Sequence, residues 1–144
     1  MSKFVHLHVH SHYSLLDGVA QVKPLVKKAK ALGYDALALT DNGNLYGTVE
    51  FYEVCKKEGV KPIIGLDAYL APRTRFDQDP AQDSKRMRLV LLAETTEGYK
   101  NLIKLVTASY TEGFFYKPRI DHELLERWHD GLIAILPSLA GERA

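Results

Sequence analysis

A lone cysteine, Cys55, excludes an internal disulfide and fits a reducing compartment, the cytoplasm. Nothing beside it would activate a thiol, so it reads as core packing. Long apolar runs are missing as well. None approaches the roughly 18 residues that cross a bilayer, and the start MSKFVHLHVH has no apolar signal-peptide core, so no membrane partner is expected. Neither sign of charge dominates: 19 Lys and Arg stand against 18 Asp and Glu. That balance argues against a strongly basic nucleic-acid platform acting alone. No repeat and no low-complexity tract interrupts the chain. At 144 residues and 46% hydrophobic, it has the length and the apolar content of one cored domain.

Histidine, by contrast, is crowded. Four of the six histidines fall in the stretch HLHVHSH, His6 to His12. From Phe4 to His10 the pattern alternates, with Val5, Leu7 and Val9 on one set of positions and His6, His8 and His10 on the other. Such alternation predicts a strand with one apolar face. Side chains at i and i+2 then share a face about 6 to 7 Å apart, and two imidazoles so spaced can converge on one metal ion. A half-exposed edge strand with a polar face is the competing reading. Three alternating histidines favour metal binding.

Strand and helix signals alternate beyond this segment. Loop residues 11–18 lead to a helix from about Gln21 to Leu32, with Pro24 in its first turn and Gly33 as its stop. Ala36 to Leu39 is an all-apolar run that suits a strand buried on both faces. A second helix runs from about Tyr46 to Glu58, with Tyr46, Phe51 and Tyr52 expected in the core. A third strand starts at Ile63 and continues towards Leu70. Residues 71–87 are polar with two prolines and form the one long loop, expected to be the most mobile part. Leu89 to Ala93 is a strand. Thr96 caps a helix to Tyr110, Asp121 caps a short helix to Trp128, and Leu132 to Leu136 forms a fifth strand. The whole reads as an α/β chain of βα units with a largely parallel sheet.

In such folds active groups collect at the carboxyl ends of the strands. Those ends carry His10, Asp41, Asp67 and Ser138. Taken singly, Asp41 and Asp67 are ordinary loop starters or caps. Taken with the histidines, they suggest one site assembled from distant segments.

The segments HLHVHSHYSLLDG, ALALTDNGNLYGTVEFY, KPIIGLDAYL, LVLLAETTEGYKNLIKL, GFFYKPRID and GLIAILPSLAGE resemble, in this order, the PHP (polymerase and histidinol phosphatase) domain. The version they resemble stands at the amino terminus of bacterial DNA polymerase III alpha subunits. The resemblance runs from Phe4 to Glu142. It implies a distorted barrel of seven βα units with up to three metal ions at the carboxyl ends of its strands. Some members hydrolyse phosphoesters or proofread a 3′ end; others have lost the metals and serve as scaffolds. Five strands are fewer than seven, and the family's late Asp-x-His segment is absent. The chain therefore reads as the first part of the domain, residues 1–144, cut before the last metal motif.

Position by position, the resemblance implies that His8 and His10 are paired metal ligands, with His6 at the polar position before them. Asp17 lies where a further ligand is often found, and Asp41 matches the acid of the TDH motif. Asp67 stands in place of the family's bridging glutamate. It keeps the charge with less reach. Asn42 replaces a histidine and offers only a neutral amide oxygen. Ser138 replaces a cysteine or histidine with a weak neutral donor. Arg88 replaces a histidine with a permanent cation. Held roughly 4 Å from a divalent ion at an effective dielectric near 20, that cation would be repelled by about 8 kcal/mol. Arg88 either takes a metal's place by pairing with Asp67 or Asp41, or points to solvent.

These departures predict one weakly held divalent ion (zinc, manganese or magnesium) or none, and little or no hydrolysis. The expected role is that of a structural or accessory segment of a replicative polymerase. Its partners would be the remaining polymerase domains, where the chain continues past Ala144, and a proofreading exonuclease subunit. DNA would be met through the full polymerase. The competing function is a metal-dependent phosphoesterase or 3′–5′ exonuclease. An isolated fragment of a barrel is expected to self-associate through its open edge.

Overall fold

The computed structural model describes residues 4–85 and 87–137. Ser138, one of the expected site positions, lies outside the described residues. The fold is mixed α/β. Its elements run α1 (Val22–Ala31), β1 (Ala36–Leu39), α2 (Thr48–Glu58), β2 (Lys61–Leu70), β3 (Met87–Ala93), α3 (Thr96–Thr111), β4 (Phe114–Phe115), β5 (Lys117–Ile120), α4 (His122–Trp128) and β6 (Leu132–Ile135).

β2 organises the sheet. Its first residues pair in parallel with β1, Gly65 to Leu70 pair antiparallel with β3, and Tyr69 and Leu70 pair in parallel with β5. β6 lies antiparallel along the far side of β3. The sheet is thus mixed, where a largely parallel one was expected. The reason lies in the connection. Residues 71–85 carry no helix, and without a crossover helix the chain returns as an antiparallel neighbour. β5 escapes sequence inspection because Lys117-Pro118-Arg119-Ile120 has no strand-like pattern, yet Pro118, Arg119 and Ile120 are all buried.

Local signals explain the helix ends. Gly33 and Gly59 adopt φ of +79° and +70° just past α1 and α2, a conformation glycine takes without cost. The Thr95 side chain caps α3 by accepting from the Gly98 amide at 3.1 Å, so the cap is one residue earlier than Thr96. Asp121 caps α4 by accepting from the Leu124 amide at 3.1 Å, as expected. Phe51 and Cys55 turn inward from α2, whereas Tyr46 and Tyr52 are 64% and 49% exposed and not in the core.

β3 is buried on both faces, as its unbroken apolar run implies. Leu89 and Leu91 join Leu66 and Leu70 against Leu102, Leu105 and Leu124 of the helices. Val90 and Leu92 face the other way, onto Ala38, and the partly buried Ile63 and Ile135 pack against them. On β1, Leu37 and Leu39 pack on Val22, Val26, Phe51 and Cys55. Each fully buried Leu or Val of these clusters contributes about 1.5–3 kcal/mol. No helix among the described residues is long and apolar enough to cross a membrane.

Candidate metal centre

The segment from Phe4 to His10 lies along β1 but not as a regular strand. His6 and Val9 carbonyls accept from the Ala38 and Thr40 amides, at 3.0 and 2.8 Å. Three steps on one strand thus face two on the other, a bulge of one residue. The chain bends at His8. A bulge reverses the alternation of faces, and the histidines divide accordingly. His6 packs edge-on against Phe4 and Tyr34, with ring centroids 4.6 and 5.3 Å away. It is therefore not beside the site where the alternation placed it. His8 and His10 remain together, 5.0 Å between centroids, and turn to β2.

There they meet Asp67. Its Oδ2 lies 2.7 Å from His8 Nε2 and 3.0 Å from His10 Nε2. Arg88, from the start of β3, donates through Nε to Oδ1 at 2.8 Å and holds Nη2 2.5 Å from Oδ2. Arg88 Nη2 also donates to the Asn42 side-chain oxygen, and Asn42 Nδ2 donates to Asp17 at 2.5 Å. The result is one polar chain: His8 and His10, Asp67, Arg88, Asn42, Asp17.

Burial works against a charged Asp67, which is 1% exposed. Hydrogen bonds from His10 and Arg88, the Arg88 charge and the hydrogen bond to His8 outweigh that burial and hold the carboxyl well below the usual carboxylate range. Asp67 in turn raises the Arg88 guanidinium pKa against the effect of its own burial. The Arg88 guanidinium also lies over the Tyr69 ring, 4.6 Å from its centroid. Arg88 therefore points into the site and not to solvent.

Asp41 stands apart from this group. Its Oδ1 accepts from the Ser11 amide and the Ser14 hydroxyl, both at 2.7 Å, and its Oδ2 accepts from the Ser11 hydroxyl at 2.8 Å. It is 2% exposed, and both serines are buried. In this arrangement its lone pairs fasten loop 11–18 to the end of β1. Sequence reasoning could have weighed Ser11 and Ser14 as its partners, since two hydroxyls three residues apart sit directly after the histidine run.

His8, His10 and Asp67 each offer one ligand atom, and these lie within 4.8 Å of one another. Imidazole nitrogens and a carboxylate oxygen suit a zinc- or manganese-like ion. Three protein donors would leave a coordination position open. The separations, however, are hydrogen-bond lengths. Bonds of about 2.0–2.1 Å in a tetrahedral shell put ligand atoms about 3.3 Å apart. The donor set fits one ion in kind, and Arg88 competes with that ion for the same carboxylate.

The model of the PHP domain family matches residues 6–144. Close relatives are DNA polymerase III alpha subunits. That of Aquifex aeolicus is 51% identical over 148 residues, which covers 98% of this chain and 13% of that protein. That of Treponema pallidum is 50% identical over 140 residues, 96% of this chain and 12% of that protein. The chain spans about an eighth of the length of the relatives it matches. Among solved structures, an amidohydrolase from Chromobacterium violaceum with bound sulfate and no metal superposes with a TM-score of 0.54 at 21% identity, covering 73% of this chain and 32% of that one. A candidate metal-dependent phosphoesterase from Bifidobacterium adolescentis gives 0.54 at 16% identity, covering 76% and 34%. These two show a shared fold. The match of the family model over residues 6–144 establishes that the chain belongs to the PHP domain family.

Proposed function

We propose that this chain is the amino-terminal portion of the PHP domain of a replicative DNA polymerase alpha subunit, acting in the cytoplasm as a structural module in which an arginine takes a metal's place. One observation carries the reading: Arg88 occupies both oxygens of Asp67. His8, His10 and Arg88 already crowd Oδ2, so an ion bound there must displace the Arg88 contact, and the guanidinium repels a second cation. When bound, a divalent ion would be held by His8, His10 and Asp67 and would supply Lewis acidity towards a phosphate oxygen. Hydrolysis in the family's manner needs neighbouring ions as well, and Asn42 and Arg88 lie in the polar chain where further ligands would be required. Polymerisation belongs to domains outside this chain.

The rest of the barrel, with the last metal motif, would follow Ala144. Two features support this. The chain covers about a third of each solved neighbour. Among the described residues β6 pairs with β3 alone, and Ile133 is 47% exposed. That edge suits a further strand of the same polypeptide. On its own, the chain is expected to self-associate there. In the full polymerase the same module would adjoin the other polymerase domains and a proofreading exonuclease subunit.

The test is elemental analysis of the purified chain with an assay of p-nitrophenol release from a phosphodiester. Sub-stoichiometric metal and no turnover above blank are expected. Tight stoichiometric metal with sustained turnover would overturn the reading.

A further inference from the structure

The connection between β2 and β3 is ordered around a buried charge. Arg119, on β5, has no exposed surface. Its guanidinium donates to four main-chain carbonyls: Gly113 at 3.1 Å, Arg75 at 3.1 Å, Asp77 at 2.9 Å and Asp83 at 3.5 Å. Three of these belong to the connection. A second arginine, Arg75 of the connection itself, ties it to the end of α3 and the start of α4. The Arg75 amide and Nη1 reach Asp121, Nη1 reaches Glu123 at 3.1 Å, and Nε reaches Glu112 at 2.6 Å. Within the connection, Asp83 takes Arg73 through both its oxygens and the Asp79 amide. Residues 73–83 thus form a strap with charged groups at its centre, where the sequence suggested a mobile loop.

The strap closes the end of the β2–β3 hairpin. The last rung is Leu70 with Met87, and the one before it is Tyr69 with Arg88. Tyr69 is also the register partner of Arg119 on its other side. Fraying of the hairpin from this end would reach Arg88 at the second rung, before Asp67 itself. A disordered connection of this length would favour such fraying, because its entropy pulls the strand ends apart.

We infer that Arg119 is a positioning residue for the site: it latches strap 73–83, and the closed strap keeps Arg88 seated on Asp67. The inference rests on the reading of Arg88 as the cation that occupies the metal ligand. It adds a part of the molecule that no metal motif includes. Lysine cannot replace the latch, since one ammonium cannot span carbonyls spread around a planar guanidinium.

The test is amide and side-chain hydrogen exchange by NMR on the full chain and on Arg119→Lys, with Arg75→Gln as a second variant that loosens the strap's own tie to Glu112, Asp121 and Glu123. In the parent protein, strap amides and the Arg88 Nε proton are protected. In Arg119→Lys, both are expected to lose protection by about tenfold or more, while amides of α1 and β1 keep theirs. Arg75→Gln should show the same paired loss to a smaller degree. Strap amides that stay protected in Arg119→Lys would refute the latch. A strap that loosens while Arg88 Nε stays protected would refute the positioning role and leave the reading of Arg88 intact. An Arg88 Nε proton already unprotected in the parent would refute that reading instead. Should Arg119→Lys fail to fold, the Arg75→Gln pair of measurements decides.

Discussion

Arg88 and Asp67 face each other side on, two guanidinium nitrogens against two carboxylate oxygens, at 2.8 and 2.5 Å. His8 and His10 complete the ring of donors around the same carboxylate. Most of what the site can do depends on who holds those two oxygens.

Replacing Arg88 by histidine removes the competing cation and adds a third imidazole nitrogen to those of His8 and His10, a fourth donor with the Asp67 carboxylate. Arg88→His is expected to raise bound metal from sub-stoichiometric to about one ion per chain, with the bias towards zinc that imidazole ligands confer. Elemental analysis after gel filtration and calorimetric titration with manganese measure this. A variant as metal-poor as its parent would show that Arg88 is not what keeps the ion out.

Asp67→Asn leaves the Arg88 guanidinium beside a neutral amide whose NH₂ faces other donors. Arg88's side chain is 18% exposed and Asp67's is 2%. Breaking so buried a pair from one side should cost about 3 kcal/mol. Urea denaturation reads the loss directly. A change under a few tenths of a kcal/mol would mean that the pair contributes little.

Acid should act through the same carboxyl. The folded-state pKa of Asp67 is depressed, while the unfolded residue titrates near ~3.9. Between the two values the unfolded chain binds the extra proton, so stability rises with pH there. The contribution is complete above the unfolded value and is lost as pH falls towards the folded one. Asp77, Asp79 and Asp83 are depressed in the same sense and share the slope. The diagnostic quantity is therefore the difference between parent and Asp67→Asn. Urea midpoints from about pH 5 downward should fall more steeply in the parent. Parallel curves would remove Asp67 from the account.

Asp41 tests what a matched motif acid does here. Asp41→Asn replaces one accepting oxygen by a donor opposite buried Ser11 and Ser14 groups. A loss of about 3 kcal/mol is expected from the strained and unmet hydrogen bonds. Manganese affinity in an Arg88→His background should not change when Asp41→Asn is added. A large fall in affinity at unchanged stability would make Asp41 a ligand after all.

Cys55 should be inert. It is fully buried, and that burial pushes its thiol pKa up to about 11. Ellman's reagent is expected to leave the folded chain unmodified at neutral pH and to titrate one thiol in denaturant. Rapid reaction with the native chain would contradict its place in the core.

Helices were legible because their signals are local. Gly33, Gly59 and Asp121 mark ends whatever the rest of the molecule does. The pairing of His8 with His10 was equally legible, since i and i+2 neighbours stay close even where the strand is irregular. His6 was not. Its face depends on a one-residue bulge, and that bulge is set by how His6 and Val9 bond to β1.

Arg119 marks the other boundary. By its chemistry an arginine reads as solvent-exposed, and nothing near Lys117 to Ile120 in the chain hints that carbonyls from residues 75, 77 and 83 will surround it. The direction of β3 and the order of the strap are decided the same way, by groups far apart in sequence. Chain-local chemistry determined which segments are helices, which strands are buried on both faces, and which residues carry ligand atoms. Tertiary packing alone decided that Arg88 meets Asp67. A carboxylate's lone pairs go to whichever donors the fold brings within reach, and that is a property of three-dimensional distance, not of spacing along the chain.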